Sequence, residues 1–206
     1  MKKVDYKKDF KSLYLPKTQP EVLVIPEVTY LMIKGEGNPN EEEFAQCVEA
    51  LYTLSYLVKM SYKNSDVPDG YYEYKVFPLE GIWDLIDRTK SSTDKNNLKY
   101  TIMIRQPDFL TKELFEQFLE VAEKKKKNLK LQEVMLDKLE EGLCVQIMHI
   151  GPFEEEPISF KKMEEFCEHA GYRRSSKMHR EIYLSDPRKT TPDKMKTVLR
   201  FNIDKV

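Results

Sequence analysis

The spacing of hydrophobic and polar positions changes several times along the chain, and the changes come twice in the same order. Residues 1–20 are Lys-rich and end in Pro16 and Pro20, which predicts an N-terminal arm with at most a short helix. From Glu21 to Gly37, β-branched and apolar residues predict two strands joined at Pro26 and closed by Gly35 and Gly37. Asn40 is placed to cap a helix that lines up Phe44, Cys47, Val48, Leu51, Leu54 and Val58 at helical spacing. Turn residues fill 63–70, and 71–78 reads as a strand rich in tyrosine. Residues 79–84 carry Trp83, and a polar loop covers 91–97. Residues 98–105 alternate Leu98, Tyr100, Ile102 and Ile104 with Lys99, Thr101, Met103 and Arg105, a strand pattern. Thr111 then predicts the cap of a connecting helix within 108–128, with the stripe Leu114, Phe115, Phe118, Leu119 and Ala122. Its lysine-rich end suits the negative pole of the helix dipole.

The second half follows the same plan. Residues 133–151 give a strand, a break, a second strand and a glycine, as residues 21–35 do. Pro152 and the acidic run 154–156 match Pro39 and the acidic run 41–43, and an acidic run at a helix start suits the positive pole. The next helix lines up Phe160, Met163, Phe166, Cys167 and Ala170, with Gly171 as its C-cap. A strand at 178–184 and a last strand at 195–203 complete the order. Strand, helix, strand, strand is thus written twice at a spacing of about a hundred residues. This predicts an α+β fold: a tandem repeat with pseudo-two-fold symmetry, an antiparallel sheet with helices on one face, and a ligand groove between the repeats. The expected boundaries are an arm at 1–20 and one domain at 21–206. Within that domain, repeat one spans 21–106 and repeat two 131–206.

Length and composition narrow the class. A chain of 206 residues holds one large domain or two small fused units. Its formal net charge of -1 supplies no basic field for nucleic acid, so no direct nucleic-acid partner is expected. Twelve tyrosines and ten phenylalanines lean towards a site for a flat apolar ligand. Three cysteines without CxxC spacing argue against a disulfide framework or a zinc site, and reduced thiols fit a cytoplasmic protein. No apolar run approaches the roughly 18 residues of a membrane span. The pair Gly35 and Gly37 lacks the third glycine of a dinucleotide loop, so no cofactor and no metal are expected. Nothing in the residues sets an oligomeric state.

The candidate chemistry sits on the strand before Pro187. Alternation puts Met178, Arg180, Ile182 and Leu184 on one face and His179, Glu181 and Tyr183 on the other. A carboxylate between two ring side chains is either a surface group paired across the sheet with Arg180, Arg200 or Lys196, or the floor of an aromatic pocket.

The residues 34–40 (Lys-Gly-Glu-Gly-Asn-Pro-Asn), 146–152 (Gln-Ile-Met-His-Ile-Gly-Pro) and 179–187 (His-Arg-Glu-Ile-Tyr-Leu-Ser-Asp-Pro), set in the repeated unit, resemble the GyrI-like small-molecule-binding domain. The resemblance spans Glu21 to Ile203 and is narrower to a stand-alone bacterial branch, the cyclopropanoid cyclopropyl hydrolases. It implies a pocket between the repeats, a ligand-contacting acid at Glu181, and water-driven opening of the activated cyclopropane of DNA-alkylating genotoxins, which protects the cell. Glu181 is then the candidate general base. One of Tyr71, Tyr72, Tyr74 or Tyr183 would donate a hydrogen bond, with Tyr71 the first choice. Trp83, Tyr74, Phe77, His149, His179, Tyr183 and Arg105 are the candidate ligand contacts. Structural alternatives stand beside three of these: core packing for Trp83, a hydrogen-bonded structural role for His149, and solvent or a carboxylate partner for Arg105. Two other functions remain open. One is a non-catalytic drug-binding or sequestering protein. The other is a modulator of gyrase, which is disfavoured. A transcription-factor role is disfavoured too, because only some twenty residues precede the domain.

Overall fold

The computed structural model of the protein describes residues 3–64, 67–91, 93–126 and 130–206. In chain order its elements are α1 (Tyr6–Asp9), α2 (Lys11–Tyr14), β1 (Glu21–Ile25), β2 (Val28–Glu36), α3 (Glu42–Met60), β3 (Leu79–Leu85), β4 (Leu98–Arg105), α4 (Lys112–Lys125), β5 (Met135–Leu139), β6 (Gly142–Ile150), α5 (Glu156–His169), β7 (Tyr172–Arg174), β8 (His179–Tyr183) and β9 (Lys196–Lys205). The fold is α+β, and its strands pair antiparallel.

The chain forms two compact units that interleave along the sequence. Unit 1 is Met1–Tyr6, Val28–Phe77 and Leu85–Leu139; unit 2 is Lys7–Glu27, Pro78–Asp84 and Glu140–Val206. In unit 1, β2 lies between β4 and β5. Leu31, Ile33, Ile102 and Ile104 are buried on this sheet, and α3 packs against it with Leu51, Leu54 and Val58. The stripe read from the sequence is the buried one. The predicted cap differs: Glu41 takes the N-cap position, while Asn40 donates its backbone N–H to the Asn38 side chain. Thr111 does cap α4, its hydroxyl accepting from the Leu114 N–H at 3.3 Å. Residues 127–129, where the connecting helix was expected to end, lie outside the described residues.

The tyrosine-rich stretch 71–78 corrects the sequence reading. It is not a strand; a single bridge joins Tyr74 to Val4. Its rings pack instead on Phe109 and on one another, and the strand comes one step later, as β3.

In unit 2, strand order is β1-β6-β9-β8-β3, with β7 on the end of β9. On one face Val145, Ile147, Leu199, Phe201 and Ile203 pack against Met163 and Cys167 of α5. Gly171 ends that helix at φ +76°, where a left-handed residue is needed. The other face is buried as well, with Val198 and Arg200 of β9 inside it. That face holds an ionic network. Arg180 donates to Glu80 at 2.8 Å and lies 3.3 Å from Glu141, which accepts from Arg200 at 2.9 Å. Arg200 also donates to Gln146 and to the Leu13 carbonyl, and the Tyr14 hydroxyl donates to Glu80. Burying such charges is tolerable only when each is matched. The N-terminal segment supplies part of that matching, which is why Tyr14 is 2% exposed.

Among the described residues, no helix is long and apolar enough to cross a membrane.

Candidate functional site

Glu181 stands on the face of β8 that meets α5. Register sets this: Arg180 pairs with Arg200 on β9 and Ile82 on β3, and Glu181 pairs with Leu199 and Gly81. The arginines therefore project to the opposite face and are spoken for by Glu80, Glu141 and Gln146. The cross-sheet ion pair offered as an alternative for Glu181 is not formed. Its carboxylate is bracketed instead by its own face neighbours. His179 Nε2 lies 3.0 Å from one oxygen, and the Tyr183 hydroxyl donates to the other at 2.8 Å. The glutamate side chain is 12% exposed.

One further strand, β3, and the segment around the start of α5 complete the cluster. Trp83 Nε1 donates to the Tyr183 hydroxyl at 2.8 Å, so indole and phenol form a chain of donors that ends on the accepting Glu181 carboxylate. Gly81 makes that chain possible. A Cβ there would stand 2.7 Å from Trp83 Nε1 and 3.3 Å from the Tyr183 hydroxyl. Phe160 of α5 meets the His179 ring edge-on at 4.8 Å, and Phe153 meets Tyr183 likewise at 6.1 Å.

Sequence reasoning missed Glu156. It reads as one acid in a solvated run at a helix start, yet it is 6% exposed, and its Oε1 is buried without a hydrogen-bond partner. Burial pushes its carboxyl well above the usual range, and the charge of Glu181 and a hydrogen bond to it push the same way. Both effects favour the neutral form of Glu156 beside Glu181. Burial, with the Glu181 charge beside it, also raises the Tyr183 phenol, which stays a hydroxyl donor. A carboxyl biased towards its neutral form beside a second carboxyl is an arrangement suited to acid–base work.

The other candidates lie elsewhere. His149 is 4% exposed and bonded on both ring nitrogens, to Ser159 Oγ at 2.9 Å and the Pro152 carbonyl at 3.0 Å. The carbonyl can only accept, so Nε2 carries the proton and Nδ1 accepts from serine. This is the structural role. His149 also borders a cleft of about 240 Å³ with Thr18, Ile158 and Lys162, a cleft whose wall does not include Glu181. Tyr71, Tyr74, Phe77 and Arg105 belong to unit 1. The Tyr71 hydroxyl donates to the Lys59 carbonyl, Tyr74 is 1% exposed against Phe77 and Phe109, and the Arg105 guanidinium lies 5.0 Å over Phe77. The structure thus joins Trp83, His179, Glu181 and Tyr183 in one cluster and Tyr71, Tyr74, Phe77 and Arg105 in another. Among the described residues, no group of His, Cys, Asp and Glu side chains is arranged to hold a metal ion.

A family profile described as GyrI-like small molecule binding domain matches residues 18–203. The chain belongs to the GyrI-like family. Solved relatives agree. An uncharacterized conserved protein from Listeria innocua is 43% identical over 98% of this chain and 100% of its own, with a TM-score of 0.92. A hydrolase from Listeria innocua is 42% identical over the same shares, with a TM-score of 0.90. The EcmrR C-terminal domain, at 14% identity and a TM-score of 0.54 over 91% of this chain and 98% of its own, shares the fold. No curated protein matches the chain. Small-molecule binding is the property this GyrI-like domain carries.

Proposed function

We propose that this GyrI-like protein binds a flat, apolar aromatic molecule at the Glu181 cluster and opens a carbonyl-conjugated cyclopropane in it with water, protecting the cell from DNA-alkylating compounds. The observation that carries the reading is a mostly buried carboxylate held by His179 and Tyr183 and paired with no Arg or Lys among the described residues. Such a group keeps its charge available for chemistry. The name of the Listeria hydrolase supports the same direction.

Glu181 takes a proton from a water as that oxygen bonds to the ring methylene. One cyclopropane carbon–carbon bond breaks, its electron pair passes through the conjugated system to the carbonyl oxygen, and that oxygen gains a proton to end as a phenol. Trp83 and Tyr183 supply the aromatic surface and fix the direction of the Glu181 carboxylate. Glu156, held towards its neutral form by burial, limits the negative charge beside Glu181.

The test incubates the protein with an indole-type cyclopropane alkylator and follows ring opening by the mass of one added water. Glu181→Gln is expected to lower turnover at least a hundredfold while the fold is kept; undiminished turnover refutes Glu181 as the base. A second reading is sequestration without turnover. It is favoured by the hydrogen bonds that already occupy both Glu181 oxygens. Tight binding with no ring opening by the native protein would establish it.

A further inference from the structure

We propose that Arg174 is the positioning residue that sets the Glu181 carboxylate by fixing His179, an inference that rests on the role given to Glu181 above. Arg174 ends β7, outside the cluster, and its side chain is 14% exposed. Its guanidinium collars the turn that leads into β8. Nε donates to the Ser176 carbonyl at 2.7 Å and Nη2 to the Lys177 carbonyl at 2.8 Å, two residues before His179. Nη1 donates to Glu164 of α5 at 3.0 Å, tying that turn to the helix.

The same group stacks. Its centre lies 4.4 Å over the Phe201 ring and 5.3 Å from the Phe160 ring. Phe160 is the ring on which His179 leans, and His179 in turn reaches Glu181. Arg174 therefore holds His179 twice, by the backbone before it and by the ring beside it. An ordinary partly exposed ion pair with Glu164 would contribute little. The carbonyl collar and the stacking demand a planar group with several fixed donors, which lysine lacks.

The test is Arg174→Lys in the full chain, with Phe160→Leu as the second variant. Histidine side chains are labelled with ¹⁵N, and the His179 signal is identified with His179→Asn. Arg174→Lys is expected to shift or broaden the His179 Nε2 signal while leaving His149, bonded to Ser159 and Pro152, unmoved. Phe160→Leu should move the same signal, and the double variant should add little to either. In the ring-opening assay, Arg174→Lys should lower kcat about tenfold with KM within about twofold, as displacement of a held group does. An unmoved His179 signal in a folded Arg174→Lys protein overturns the proposal. If native protein opens no ring, the functional reading falls, and the His179 signal still decides the role of Arg174.

Discussion

Trp83 and Tyr183 stand a hundred positions apart in the sequence and meet through one hydrogen bond, indole N–H to phenol oxygen, at 2.8 Å. The Tyr183 hydroxyl in turn donates a hydrogen bond to Glu181 at the same distance. Trp83→Phe keeps the apolar ring and removes the donor. A net hydrogen bond of about 1 kcal/mol makes this a loss of roughly fivefold in kcat/KM if it acts on the held carboxylate, and the smaller ring at a buried site lowers Tm as well. Tyr183→Phe, which breaks both bonds, should lose more. Steady-state ring-opening kinetics on the two variants check the order.

Gly81 is where the backbone must stay bare. The Cβ of Gly81→Ala would sit 2.7 Å from Trp83 Nε1, so the indole has to swing out and release Tyr183. Overpacking of this kind costs about 1–3 kcal/mol. A lower Tm together with changed fluorescence of the only tryptophan is the expected outcome. Unchanged fluorescence would show that the strand yields instead.

Much of this was legible because it is local. Period-2 alternation marked β4 and the two faces of β8, and the Thr111 cap and the stripe of α4 follow from neighbours three and four residues apart. The stretch 71–78 misled because aromatic residues favour strands in general, whereas these rings pack on Phe109, brought from elsewhere in unit 1. Alternation also gave the face of Arg180 without its consequence. Its burial depends on Glu80 and Glu141, both distant in sequence. Glu156 was hidden for the same reason, since an acid at a helix start has a sufficient local explanation in the dipole. A signal for the site did exist in Gly81 and Trp83. Two positions apart on one strand, they leave a gap and supply a large ring to fill it.

The ionic layer of unit 2 should be fragile to the loss of one partner. Glu80→Ala removes the carboxylate shared by Arg180 and Tyr14, each 2% exposed. Breaking a buried ion pair from one side makes the expected loss about 3 kcal/mol in urea unfolding, the lower end of the usual range because Arg180 keeps Glu141 at 3.3 Å. Removing an exposed pair such as Lys161 with Glu165 should cost less than about 0.5 kcal/mol.

The proton on Glu156 makes stability depend on pH in a stated direction. The folded protein raises this carboxyl above its ordinary 4.5, first by burial and then by the charge of Glu181. Below pH 4.5 both folded and unfolded chains carry the proton, and the stabilising contribution is fully present. Above it the unfolded chain releases the proton while the folded chain keeps it, so stability falls with rising pH until the folded carboxyl also ionises. For one whole proton the slope is about 1.4 kcal/mol per pH unit. Glu156→Gln stays neutral and keeps an N–H donor for Glu181, so it should escape this slope. Urea unfolding at pH 5, 6, 7 and 8 should show the variant gaining on the native protein at each step. Parallel curves would mean that Glu156 is ionised in the folded state. Glu156→Gln keeps a neutral side chain beside Glu181, and its ring-opening rate should stay within a few-fold of native.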